Sequence, residues 1–215
     1  MLLAHYGAPP LPITVDAFEL VLLENIAYLA SAARRREAFA TLRSTIGTDP
    51  SSILNASLAQ LKRATAKGIL PELFASKLQT CARIVIGEFD GDLEAVVRGP
   101  LPDAKRALRR FPGIGEPGAE RILLLTGRRP FLAPDSNALR VLERLGLIPL
   151  ERSYARSYAA ARAVADTLDQ SIAGMQLAHT LLQQHGQTLC KRSAPKCSAC
   201  PLVQRCAFSK ASALR

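Results

Sequence analysis

Four cysteines, Cys190, Cys197, Cys200 and Cys206, stand in the spacing C-x6-C-x2-C-x5-C close to the C-terminus. Four thiolates so near in sequence can enclose one compact metal centre, and soft sulfur donors in a tetrahedral set select zinc or an iron–sulfur cluster. Zinc ribbons usually carry two C-x2-C knuckles joined by a longer spacer, and this run has one. The spacing therefore favours a [4Fe–4S] cluster, in a structural rather than a redox role, because no cofactor motif accompanies it. Lys191, Arg192, Lys196, Arg205 and Lys210 crowd the same loop. They offset part of the thiolate charge and leave a basic surface suited to phosphates. The fifth cysteine, Cys81, has no ligand-type neighbour and reads as a small buried core residue.

A second stretch, Phe111-Pro112-Gly113-Ile114-Gly115-Glu116-Pro117-Gly118-Ala119, has the chemistry of an anion grip. Glycines at 113 and 115 permit a tight turn in backbone conformations closed to other residues. Pro117 suits the first turn of a following helix, where its missing N–H would be unpaired anyway. The product is a hairpin between two helices with bare N–H groups at a helix N-terminus, carried by Gly113, Ile114, Gly115 and Gly118. The chain holds 28 Lys and Arg against 18 Asp and Glu, a formal net charge of +10, so the matching anion is a nucleic-acid phosphate. Further along, Asp135-Ser136-Asn137 is a cluster of N-cap residues opening a helix to about Leu145, closed by Gly146.

The elements that must hold these groups are helical throughout. Residues 16–30 are apolar nearly all round, as in a helix buried within an all-α core. Residues 37–46, 50–55, 56–63, 71–87, 93–97, 102–110, 119–126, 154–170 and 172–185 read as further helices, whereas residues 1–15, with Pro9-Pro10, look irregular. Arg34, Arg35 and Arg36 read as a solvated face. Phe131–Pro134 is expected to be extended, because residues preceding proline avoid the helical region. Lys67–Pro71 is a loop whose Ile69 and Leu70 could wedge into a base stack. No strand pattern and no internal repeat is evident. With 48% hydrophobic residues the composition is globular. No apolar run reaches the ~20 residues of a membrane span, and the first residues do not form a secretory leader. The expectation is a cytoplasmic, monomeric, all-α protein with no membrane partner.

The hairpin, Asp135 twenty residues after Gly115, and the C-terminal cysteines occur in one order. Together they resemble the endonuclease III branch of the helix-hairpin-helix DNA glycosylases, over roughly residues 16–208. The cysteine spacing equals that family's. Ala133-Pro134-Asp135-Ser136-Asn137-Ala138-Leu139-Arg140-Val141 is similar to its V-D-T-H-x-x-R-V stretch, with Asp135 on the catalytic aspartate, and His185-Gly186 resembles its L-H-G approach to the cluster. The resemblance implies a two-lobed fold: a helical domain over 16–134 with the hairpin at 111–118, and an iron–sulfur domain from 1–15 and 135–215 with its loop at 190–206. It implies that double-stranded DNA binds between the lobes and that a damaged or mismatched base is flipped out. Asp135 would stabilise positive charge on the sugar or activate water.

Two departures matter. The family's bifunctional members carry a lysine in L-P-G-V-G-x-K-T-A, and here that place is held by Pro117, which has no amine for Schiff-base lyase chemistry. A monofunctional glycosylase is expected. A bifunctional enzyme using another amine and a non-catalytic binder of damaged DNA are the alternatives. The family's polar pocket stretch, L-L-S-x-Q-x-T, is replaced by Leu22-Leu23-Glu24-Asn25-Ile26-Ala27-Tyr28, making Glu24, Asn25 and Tyr28 candidates to touch the base or fill its gap. His179 and His185, with no metal-spacing partner, read as structural.

Overall fold

A computed structural model describes residues 1–10 and 12–213, and every regular element among them is helical. The N-terminal residues depart from the irregular segment expected of them, because Leu2–Tyr6 forms a short helix, α1. Tyr6 anchors it with side-chain bonds to His185 and Thr188.

Residues 12–128 form one compact unit. Its centre is α2 (Ala17–Asn25), in which every residue but Glu19 and Glu24 is buried. Burying a side chain such as Leu22 stabilises the unit by about 1.5–3 kcal/mol. The helix starts where the Asp16 carboxylate accepts from the Glu19 N–H at 2.8 Å. The same device starts α3 (Ala32–Thr45, Ser31 cap), α4 (Pro50–Asn55, Asp49 cap) and α5 (Leu58–Thr65), where Ser57 and Gln60 cap each other reciprocally. Then follow α6 (Pro71–Glu88), α7 (Leu93–Arg98), α8 (Leu101–Leu108) and α9 (Glu116–Leu125), and α2 packs on α6, α7 and α9. Cys81 is fully buried in α6, and burial pushes its thiol up to about 12. Arg34 and Arg36 are exposed as expected, but Arg35 turns inward and is half-buried.

Residues 1–11 and 129–215 form the second unit. Its helices are α1, α10 (Ser136–Leu145), α11 (Tyr154–Ala165), α12 (Ile172–Thr188) and α13 (Ala207–Ala213), with α12 laid along α10. The unit boundaries differ from the expected 15/16 and 134/135. Residues 129–134 belong with the second unit because the Leu132 carbonyl accepts from His179 Nδ1 at 3.1 Å and the Pro134 carbonyl from the Tyr154 hydroxyl at 3.3 Å. Thr14 belongs with the first because its hydroxyl meets the Asp16 N–H at the start of α2. Ala133 is not extended: its φ is +43°, in the left-handed region, although proline follows it.

Candidate active site and cysteine centre

The hairpin is built by α8 and α9. Gly113 has φ +77°, the one hairpin position whose backbone calls for glycine. Gly115 has φ −94° and caps α9, so its conformation is open to other residues, contrary to the sequence reading. Lys105 of α8 clamps the pair of helices by donating to Glu116 at 2.5 Å and Glu120 at 2.7 Å. Among the described residues no backbone bond engages the N–H of Gly113, Gly115 or Gly118, and the first two are exposed. Ile114 does not match the expectation. Its side chain is buried and its N–H is spent on the Phe111 carbonyl at 3.2 Å, closing the turn. Unpaired N–H groups at a helix start are a geometry that can accept an anion.

Asp135 is the N-cap of α10. Its Oδ1 accepts from the Asn137 and Ala138 N–H groups at 2.9 and 2.8 Å, and its Oδ2 from Asn137 Nδ2 at 3.1 Å and Gln183 Nε2 at 3.0 Å. Burial pushes the carboxyl up, but the Ala138 N–H, Gln183, Asn137 and nearby His179 outweigh it. The net result lies below the ordinary aspartate value. Asp135 is therefore a largely enclosed carboxylate kept ionised and fixed in orientation. Gln183 reaches it because α12 runs close to α10: a Cβ on Gly186 would lie 2.6 Å from the Asn137 carbonyl oxygen. Arg140 seals that approach, donating to the Gly186 carbonyl, the Cys190 carbonyl and Asn137 Oδ1 at 2.8, 2.8 and 2.9 Å.

The residues offered as base pocket or wedge separate into three environments. Asn25 is buried, with Nδ2 on the Val21 carbonyl, and its side chain supports the hairpin beneath Gly113 rather than facing a ligand. Glu24 is partly exposed and paired with Arg121 of α9. Tyr28, Ile69 and Leu70 are exposed and lie on two loops joined by the Ile69 N–H to Tyr28 carbonyl bond, with Tyr28 stacked on Phe74 at 5.0 Å. Leu29, 73% exposed, stands beside them. Leu29 and Leu70 have φ of +57° and +54°, conformations that cost a leucine about 1–2 kcal/mol.

Cys190, Cys197, Cys200 and Cys206 are free thiols lining one cavity with His185, Leu189, Pro195, Leu202, Val203 and Phe208. Among the described residues no three His, Cys, Asp or Glu side chains converge as on a single metal ion. The thiols instead surround a mostly apolar cavity, a donor set suited to a multinuclear cluster. Cys200 is pushed up by burial, partly countered by the Leu202 N–H, and further by the neighbouring thiols. Arg144 cradles the loop, donating to the Lys191 and Arg192 carbonyls at 2.7 and 3.0 Å and approaching Cys190 Sγ at 3.4 Å. His185, expected to be merely structural, also borders the cavity, with Nε2 3.5 Å from Cys200 Sγ. Lys191, Arg192 and Lys196 are exposed around it.

No protein-family model matches the chain. Relatives include endonuclease III of Thermotoga maritima, 25% identical over 62% of this chain and 56% of that protein. Endonuclease III of Rickettsia conorii is 30% identical over 50% of this chain and 49% of that protein. An adenine DNA glycosylase of Arabidopsis thaliana is 34% identical over 51% of this chain and 17% of that protein. The chain spans about half the length of the endonuclease III relatives it matches. A trapped endonuclease III–DNA covalent intermediate superposes with a TM-score of 0.80 at 20% identity, covering 100% of this chain and 94% of the other. A thermostable thymine-DNA glycosylase superposes with a TM-score of 0.76 at 18% identity, covering 98% and 94%.

The fold is that of endonuclease III. In this endonuclease III-like chain Pro117 occupies the first turn of α9, and Arg121 lies one helical turn further along the same face. Four of these residues were given no role by the sequence reading. Leu29 carries no signal beyond an apolar run, and Gln183 none beyond its place two residues before His185. Arg140 and Arg144 are spaced to share a helical face, a pattern that solvated arginines also produce.

Proposed function

We propose that the chain is a monofunctional DNA glycosylase that removes a damaged or mismatched base from double-stranded DNA. The observation that carries this reading is Asp135, an enclosed carboxylate held ionised by four donors at a helix start. The endonuclease III fold and the hairpin's free N–H groups support it. The hairpin amides and the exposed Lys191, Arg192 and Lys196 bind sugar-phosphate oxygens. Tyr28, Leu29, Ile69 and Leu70 enter the stack where the target nucleotide is extruded. As the C1′–N bond breaks, the bonding pair leaves with the base and Asp135 stabilises the cationic sugar. Water adds its hydroxyl to C1′, and its proton passes through the carboxylate to the departing base.

Pro117 offers no amine, so no Schiff base forms at that position. The four cysteines fit a [4Fe–4S] cluster, which when bound would cross-link the loop and fix its basic residues. The decisive experiment pairs Asp135→Asn with a panel of lesion-bearing duplexes, read with and without alkali. Base release should vanish in the variant while binding is retained, and strand breaks should require alkali. A variant that still releases base removes Asp135 from the mechanism, and a wild type that binds every duplex without releasing any base is a binder, not an enzyme. Strong borohydride trapping on abasic DNA would overturn the monofunctional assignment.

A further inference from the structure

His185 touches two of the four cysteines. Its carbonyl accepts from the Cys190 N–H at 2.9 Å, and its Nε2 lies 3.5 Å from Cys200 Sγ. The residue is 1% exposed, and its other ring nitrogen, Nδ1, is 2.9 Å from the Tyr6 hydroxyl. Tyr6 comes from the opposite end of the chain, on a five-residue helix that buries none of its own residues. A helix so short does not hold by itself. Tyr6 is seated against α12 by His185 and by Thr188 Oγ1 at 3.0 Å, with the His5 ring edge-on at 4.6 Å.

The direction of these bonds follows from what each atom can do. A cysteine that ligates metal is a thiolate, an acceptor with no proton to give. A bond to it from His185 needs the hydrogen on Nε2. The neutral imidazole then has Nδ1 as its acceptor, and the Tyr6 hydroxyl is placed to donate to it. Thr188 can donate to the Tyr6 oxygen in turn. Hydrogen bonds in such a chain polarise one another, so the Tyr6 bond strengthens donation from Nε2.

We propose that His185 and Tyr6 are positioning residues for Cys200. His185 donates Nε2–H to the ligated thiolate, while Tyr6 orients the ring, fixes that tautomer and ties the N-terminal segment to the cysteine centre. The inference rests on the [4Fe–4S] reading of the four cysteines and deepens it. Hydrogen bonds to the sulfurs of such a cluster favour its more negative state and so raise its reduction potential.

The test uses the full chain purified without air, with iron and acid-labile sulfide counted and the reduction potential measured by voltammetry on protein films. His185→Leu should lower the potential by up to about 59 mV, a tenfold change in the one-electron equilibrium. It should also speed loss of iron to a chelator by roughly tenfold, the worth of a hydrogen bond to a charged group. His185→Gln should bring the potential back near wild type, because its amide N–H can stand where Nε2–H stood. Tyr6→Phe should lower the potential by less, and should not lower it at all in the His185→Gln background, where no ring remains to orient. A contact that only held the fold together would shift both backgrounds alike. Tyr6→Phe removes one oxygen from a partly exposed side chain, so it decides the matter even where His185→Leu fails to fold. A loaded Tyr6→Phe or His185→Leu protein with the wild-type potential overturns the proposal. So does a His185→Gln protein no better than His185→Leu, or an equal Tyr6→Phe shift in both backgrounds. A wild-type chain carrying neither iron nor sulfide sinks the cluster reading, and this proposal with it.

Discussion

Replacing Gly186 with alanine tests whether the α10–α12 contact is what shapes the site. The added Cβ would lie 2.6 Å from the Asn137 carbonyl oxygen and 2.8 Å from both its carbonyl carbon and its Cβ. Two of these are backbone atoms, so no side chain can swing aside. Reaching ordinary contact at about 3.4 Å requires the two helices to part by roughly 0.8 Å, and overpacking of this kind costs about 1–3 kcal/mol. For a chain of this size each kcal/mol lowers Tm by about 2–4 °C, giving a fall of roughly 2–12 °C. The separation also stretches the bonds from Gln183 to Asp135 and from Arg140 to the Gly186 carbonyl. Base release should therefore drop by more than the stability loss explains at a temperature where the variant is folded. Gly87→Ala is the control: nothing lies within 4 Å of its added Cβ, in α6 at negative φ. That change should leave stability unchanged or raise it by up to about 1 kcal/mol. A Gly186→Ala protein with wild-type Tm and wild-type release would refute the reasoning.

Three further outcomes are expected. Because the Asp135 carboxyl lies below its ordinary value, its stabilising charge is complete above the unfolded value of about 3.9 and is lost only as pH falls through the lower folded value. The release rate should then show no acid limb from Asp135 above about pH 4. Gln183→Leu, by removing one donor, should move that limb upward, and a pH–rate profile identical to wild type would exclude Gln183 from the site. Leu29→Gly with Leu70→Gly relieves two left-handed leucines, so Tm should hold or rise while base release falls at least about tenfold. Retained release would show that these loops do not enter the duplex. Finally, Cys200→Ser should lower iron and acid-labile sulfide per purified chain and loosen the 190–206 loop to protease. Unaltered iron in the variant, or none in anaerobically purified wild type, would refute the cluster assignment.

The sequence made the helices legible where physical signals were local. The helices expected over 50–55 and 56–63 start within two residues of α4 and α5, and Cys81 is in the core where a lone thiol belongs. The gathering of Cys190, Cys197, Cys200 and Cys206 at one cavity and the turn at Gly113 were legible for the same reason, since chemistry and turn geometry both demand residues at fixed separations. What escaped depends on contacts distant in sequence. Asn25 looked like a ligand-facing amide but is consumed beneath the hairpin, and Ile114 spends its N–H inside the turn. Arg35 looked solvated because Arg34 and Arg36 are, yet neighbours in a helix point in different directions and the middle one turns inward. Gln183 has no motif, because its role comes only from α12 lying against α10.

These contacts bear on the proposed removal of a base without the hairpin lysine. Schiff-base chemistry at the hairpin would require an amine on α9 that can lose its proton, and that helix instead presents Pro117 and, one turn on, an arginine already paired with Glu24. A guanidinium retains its proton throughout the useful pH range and cannot serve as nucleophile. It can only donate hydrogen bonds. At the start of α10 the Asp135 carboxylate is largely enclosed and ionised, its charge maintained by donors from two helices. Charge stabilisation and water activation require that combination; nucleophilic displacement by an amine does not.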